Sequence, residues 1–142
     1  MGRPVVHFEI EGRDGRALQT FYHQLFDWNF TPAQGVPDYG LVDRDSNLSV
    51  EGVGIGGAVY TVPTQPSTTW RGPSRADGYR GHVTVYVEVP DVEAALARAE
   101  SLGGKRMQGP DAIGGGQEMG KFADPDGHLV GVIGPARPAA GG

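Results

Sequence analysis

Two histidines occupy matching places in this chain. His7 stands in the apolar strand pattern Val5-Val6-His7-Phe8-Glu9-Ile10, and His82 opens His82-Val83-Thr84-Val85-Tyr86-Val87-Glu88-Val89. Two imidazoles facing one cavity suit metal binding or acid–base chemistry. Alternation along a strand puts Glu9 on the His7 face and Thr84, Tyr86 and Glu88 on the His82 face. Glu9 is then a candidate base beside His7 or an extra metal ligand. Glu88 falls at a solvated rim, and Glu118 has no assigned facing. Aromatic side chains supply the other candidate contacts. Tyr60, Tyr86 and Trp70 suit the face of a flat organic ligand, whereas Trp28 and Phe122 read as ordinary core.

Composition narrows the chemistry. The chain of 142 residues contains no cysteine, which removes disulfides, thiolate ligands and thiol nucleophiles. Its net charge is −5, with twelve basic residues spread along the chain. A nucleic-acid surface needs them clustered, so none is expected. No apolar run reaches the length of a membrane span, and the N-terminus lacks the apolar segment of a signal peptide. These features point to a soluble, cytoplasmic protein. Gly114-Gly115-Gly116 is no phosphate loop, because no Lys-Ser/Thr pair follows it.

The positioning elements repeat. Leu18, Phe21, Tyr22, Leu25 and Phe26 form one apolar stripe in a helix over 14–27. Val92, Ala95, Leu96, Ala99 and Leu102 do the same over 91–102. Asp14 and Asp91 are the expected N-caps, and Gly103-Gly104 the expected stop after the second helix. The valines of 82–89 form an apolar seat for a helix. Further strands are expected near 29–33, 38–43 and 55–62, and near 105–108, 117–123 and 129–133. Residues 109–116 read as a loop, and Asp124-Pro125-Asp126-Gly127 as a turn. The result is βαβββ twice, an α+β chain. Residues 1–135 read as a single domain, with module one at about 4–62, a polar, turn-rich linker at 63–81 and module two at about 82–135. Residues 136–142 read as a flexible tail.

The chain resembles the vicinal oxygen chelate superfamily, which includes glyoxalase I, bleomycin-resistance proteins and extradiol dioxygenases. The resemblance rests on Val6-His7-Phe8-Glu9-Ile10, Phe21-Tyr22-His23-Gln24-Leu25-Phe26-Asp27-Trp28, Gly56-Gly57, Gly81-His82-Val83-Thr84-Val85-Tyr86-Val87, and Phe122-Ala123-Asp124-Pro125-Asp126-Gly127-His128-Leu129-Val130-Gly131. It implies two tandem βαβββ modules forming a cupped mixed-sheet barrel with the site inside, and a homodimer. It also implies four metal ligands, one from each of four strands. His7 matches the first and His82 the third. The second falls near Gly56-Gly57, and Gly131 stands where the fourth, a glutamate, is expected. His128 points to the opposite strand face from Gly131 and is a poor substitute.

Two readings follow from the resemblance. In the first, the protein binds a small aromatic or hydrophobic molecule in its cup without metal or other cofactor, in a sequestration or resistance-type role. His7, Glu9, Tyr60, Trp70, His82 and Tyr86 would make the contacts. In the alternative it is an enzyme of lyase, isomerase or dioxygenase type, with His7, His82 and Glu9 as catalytic candidates. They would act with a divalent metal or as acid–base groups. In either reading the partner is a small molecule.

Overall fold

A computed structural model describes residues 2–62 and 70–138. The first part of the linker, 63–69, and the end of the tail, 139–142, lie outside the described residues. The elements run in the expected βαβββ order, twice: β1 (Val5–Gly12), α1 (Gly15–Phe26), β2 (Phe30–Pro32), β3 (Tyr39–Val42), β4 (Gly56–Thr61), then β5 (Val83–Glu88), α2 (Val92–Ser101), β6 (Lys105–Gly114), β7 (Gln117–Ala123) and β8 (Leu129–Pro135). The chain is α+β, as its repeat implies.

It divides into two compact units. Among the described residues, the first comprises 6–62 and 73–85, and the second 2–5, 70–72 and 86–138. β5 begins in one and ends in the other. In the first unit the strand order is β2-β3-β4-β1, with β1 and β4 parallel and the other pairs antiparallel. In the second it is β5-β8-β7-β6, with β5 and β8 parallel.

Both predicted N-caps hold. The Asp14 carboxylate accepts from Ala17 N–H at 3.1 Å and that of Asp91 from Ala94 N–H at 2.9 Å. α1 stops at Asp27, whose backbone is left-handed (φ 60) and whose N–H returns to the His23 carbonyl. After α2, Gly104 N–H reaches back to the Ala99 carbonyl at 2.8 Å.

The seating of α1 corrects the sequence reading. Its inward line is Gly15, Gln19 and Tyr22 instead of the full apolar stripe. Gly15 N–H donates to Thr61 Oγ1 at 2.7 Å, and Gln19 Nε2 donates to the carbonyls of Asp38 (3.1 Å) and Val59 (2.9 Å). These bonds rotate the helix so that Phe21, Leu25 and Phe26 are each more than half exposed. Tyr22 and Trp28 stack with centroids 5.4 Å apart, and Phe8 meets Trp28 at the same separation.

α2 packs as expected except at Leu102, which follows the helix as its C-cap and is 62% exposed. Val92 and Leu96 are fully buried against Val132, with Val89, Ala95 and Phe122 around them. Each such side chain contributes roughly 1.5–3 kcal/mol by leaving water. The valine seat is shorter than the sequence suggests. Val87 lines the apolar groove beside Ala95 and Val132, but Val83 and Val85 are exposed.

A second correction concerns 109–116. β6 continues through Gly114 instead of looping out, with register shifts between Arg106 and Gln108, between Gln108 and Asp111, and between Ala112 and Gly114. Gly115 and Gly116, both at positive φ, make the turn to β7. Beyond β8, Ala136 N–H donates to the Gly116 carbonyl at 2.8 Å, and Arg137 Nε lies 3.3 Å from Glu118 Oε1.

Candidate functional site

β1 separates two kinds of surface. Phe8 faces α1, where a side chain added at Gly57 would run into its ring. His7, Glu9 and Glu11 alternate onto the other face. Ladder partners share a face, so β4 adds Gly56 beside His7, Ala58 beside Glu9 and Tyr60 beside Glu11. β3 adds Tyr39 beside Tyr60. The two tyrosine rings stack at 4.4 Å with 22° between planes. The His82 carbonyl accepts from Glu11 N–H at 3.1 Å, which sets the start of β5 beside β1 and brings His82 and Thr84 onto this face.

The face is shielded and acidic. Glu9 is 8% exposed and Glu11 9%. Burial pushes the Tyr39 phenol up to about 12, helped by the negative charges of Glu9 and Glu11. The phenol therefore stays protonated and able to donate. Burial lowers the His7 pKa, and the nearby Glu9 carboxylate opposes that shift without cancelling it. Thr84 is 1% exposed, and its Oγ1 has no hydrogen-bond partner among the described residues. A buried hydroxyl left so costs about 1–3 kcal/mol.

The His7 shift has a testable sign. Its folded pKa lies below the ordinary 6.5, so below that pH the unfolded chain binds the extra proton and stability falls. Melting temperatures at pH 7.5 and 5.5 should differ less in His7→Gln than in the parent chain. An equal difference in both would remove His7 as a contributor.

Of the sequence-predicted residues, His7, Glu9, Tyr60 and His82 lie together in the first unit. Tyr86 and Trp70 belong to the second. Tyr86 is 2% exposed, and its ring lies so close over Gly131 that a Cβ there would overlap it. Trp70 is half-buried over Gly72, and the adjoining Arg71 N–H donates to the Met107 carbonyl at 2.7 Å. Glu88 is exposed. Glu118 is buried on the α2 face of β7 beside Arg137. His128 is exposed and bonds Asp124 at 3.0 Å within its own turn.

In the linker, the Tyr79 hydroxyl donates to the Glu11 carbonyl at 3.1 Å. Its ring lies 4.1 Å beneath the Arg13 guanidinium, which pairs with Asp77. Sequence reasoning missed Glu11. Glu11 continues the alternation from His7 and Glu9 and was readable from it.

The residues present do not fit the four-ligand metal set. Gly56, Gly57 and Gly131 offer no donor side chain, and the Tyr86 ring fills the space a glutamate at 131 would need. Among the described residues no three His, Asp or Glu side chains gather as a metal site requires. A cleft of ≈ 870 Å³ opens on the opposite face of β1, lined by Phe8, Phe26, Asp27, Trp28 and the loop 46–55. It holds no histidine and stands apart from this chemistry.

The family model described as "Glyoxalase-like domain" matches residues 7–133. Comparison with the curated proteins finds no match. Among solved structures, methylmalonyl-CoA epimerase of Streptomyces coelicolor in complex with 2-nitronate-propionyl-CoA is similar at TM-score 0.58 and 15% identity, over 96% of this chain and 99% of that one. Methylmalonyl-CoA epimerase from Mycobacterium tuberculosis is similar at TM-score 0.57 and 16% identity, over 94% and 88%. A glyoxalase/bleomycin resistance protein/dioxygenase superfamily member from Vibrio splendidus 12B01 is similar at TM-score 0.51 and 14% identity, over 94% and 99%. At these identities the likeness is one of fold.

Proposed function

The chain belongs to the glyoxalase-like domain family, within the vicinal oxygen chelate superfamily, and from that premise we propose that it binds a small, flat, aromatic or hydrophobic organic molecule without a metal, in a sequestering role. The observation that carries this reading is the shielded face of β1, β3 and β4. There the stacked Tyr39–Tyr60 pair adjoins Glu9, Glu11 and His7, and Thr84 holds a buried hydroxyl with no partner among the described residues. Rings supply stacking area. The carboxylates accept from a donor group on the ligand, and the Tyr39 phenol donates. A ligand that bonded Thr84 Oγ1 would offset the cost of burying it.

Thr84→Val separates the two roles of that hydroxyl. Valine keeps the shape and removes the unsatisfied group, so the variant should melt about as high as the parent or higher. Its affinity for a ligand found by fluorescence screening of aromatic compounds should fall about tenfold, the worth of one hydrogen bond. If affinity is unchanged, Thr84 does not face the ligand. If no aromatic compound binds tighter than high micromolar, the binding reading itself fails.

A second reading has one observation in its favour. The lowered His7 pKa leaves a neutral imidazole at neutral pH, next to Glu9. Such a group can take a proton from a substrate carbon or oxygen. This makes an acid–base lyase or isomerase the alternative. Full activity toward any substrate found, in a His7→Ala/His82→Ala chain, would remove it.

A further inference from the structure

The cleft on the α1 side of β1 lies wholly within the first unit and shares no lining with the face of His7 and Glu9. Its ≈ 870 Å³ falls in the usual size range of small-molecule sites. One wall is aromatic and held in place. Around Trp28, ring centroids stand at 5.4 Å for Tyr22, 5.4 Å for Phe8 and 5.3 Å for Phe26. The other wall is the loop 46–55, which is bonded to itself. Gly52 N–H donates to the Ser49 carbonyl and Ser49 N–H to the Val53 carbonyl, both at 2.9 Å. Gly54 packs so closely on the Arg44 and Asn47 carbonyls that a side chain there would overlap them.

The hydroxyls of that loop are already engaged. Ser46 Oγ donates to Asp43 Oδ2 at 2.8 Å, and Ser49 Oγ accepts from Val53 N–H at 3.2 Å. Asp27 differs. It is the charged residue of the lining, and its carboxylate forms no ion pair among the described residues. It also caps α1, so the negative end of the helix dipole meets the cleft at the same point. The connection 43–55 adds charge of the same sign, with Asp43, Asp45 and Glu51 against Arg44 alone. Aromatic ring faces attract cations as well. A flat cation would therefore find ring area on Trp28 and Phe26 and a counter-charge on Asp27, whereas an anion would be repelled.

We propose that this cleft is a second binding site, for a small aromatic cation: a ring-bearing amine or quaternary ammonium. It is independent of the ligand-binding face of β1, β3 and β4.

The test makes Trp28 its own reporter. Trp70→Phe leaves Trp28 as the sole tryptophan of the full chain. N-methylquinolinium, an aromatic cation, and quinoline, uncharged at pH 7.5, are titrated into it, with calorimetry alongside. The cation should quench Trp28 saturably and bind about tenfold more tightly than quinoline. Asp27→Asn should abolish that preference by weakening the cation alone. Asparagine tolerates the left-handed backbone at this position, so the helix cap is kept. Cooperative melting checks the fold, and should Asp27→Asn not melt cooperatively, Asp27→Gly carries the same comparison. Equal affinity for the two probes, a preference that survives in the uncharged variant, or quenching that rises linearly without saturating overturns the proposal. Trp28 shielded from both probes in a chain that sediments as a dimer also overturns it, because a second copy would then cover the cleft.

Discussion

Gly131→Glu, which restores the carboxylate expected from the resemblance at the fourth ligand position, should yield a less stable protein that takes up no metal. The new Cβ overlaps the Tyr86 ring, and Tyr86 is itself buried, at 2% exposed. Overpacking of this kind costs about 1–3 kcal/mol. In a chain of this size that lowers the melting temperature by several degrees, at roughly 2–4 °C per kcal/mol. The added carboxylate is also one ligand short, because Gly56 and Gly57 remain bare, and Lys121 shares its row. Gly131→Glu/Tyr86→Ala should relieve the clash and still bind no ion. Metal content by mass spectrometry after incubation with zinc, manganese, nickel, cobalt and iron, followed by dialysis, decides the matter. A stoichiometric ion in the parent chain would mean that other side chains complete the donor set, and the enzyme reading would then lead. A stoichiometric ion only in Gly131→Glu would show that the glycine alone had dismantled the site.

Leu96→Ala should destabilise the protein by about 2–5 kcal/mol, the range for truncating a fully buried leucine. Leu96 is 0% exposed, sits between Val92 and Val132, and meets the Gly120 backbone directly. Differential scanning calorimetry should show the melting temperature lowered by about 10 °C. A loss below about 1 kcal/mol would mean that the α2 seat is not the principal core of its unit.

Element type and order were legible in the sequence because period-two and helical patterns are local properties. The strand at 117–123 matches β7, and both aspartate caps stand where they were read. What failed needed tertiary information. The stripe on α1 overstated its buried face, since Gln19 and Gly15 make the inward contacts through hydrogen bonds that no hydrophobicity pattern registers. The continuation of β6 past Gly109 and Pro110 was hidden because those residue types read as loop, while register shifts let the strand absorb them. At the site, His7, Glu9 and His82 follow from alternation on their own strands. Tyr39 meeting Tyr60 does not, because their stacking depends on how β3 registers with β4. The mismatch at Gly131 was visible in the sequence, but the ring that occupies its space was not.

Neither compact unit is a single stretch of sequence, since residues 2–5 belong with the second and 73–85 with the first. Glu11 N–H depends on the His82 carbonyl, and Glu88 N–H on the Pro4 carbonyl at 2.9 Å. A backbone cut between Gly72 and Pro73 therefore leaves neither piece self-sufficient. The N-terminal piece lacks a strand neighbour for the end of β1, and the C-terminal piece lacks one for the end of β5. Despite the internal duplication, each piece borrows a backbone partner from the other, so two such pieces should regain structure by complementation in trans, the property required of a split reporter.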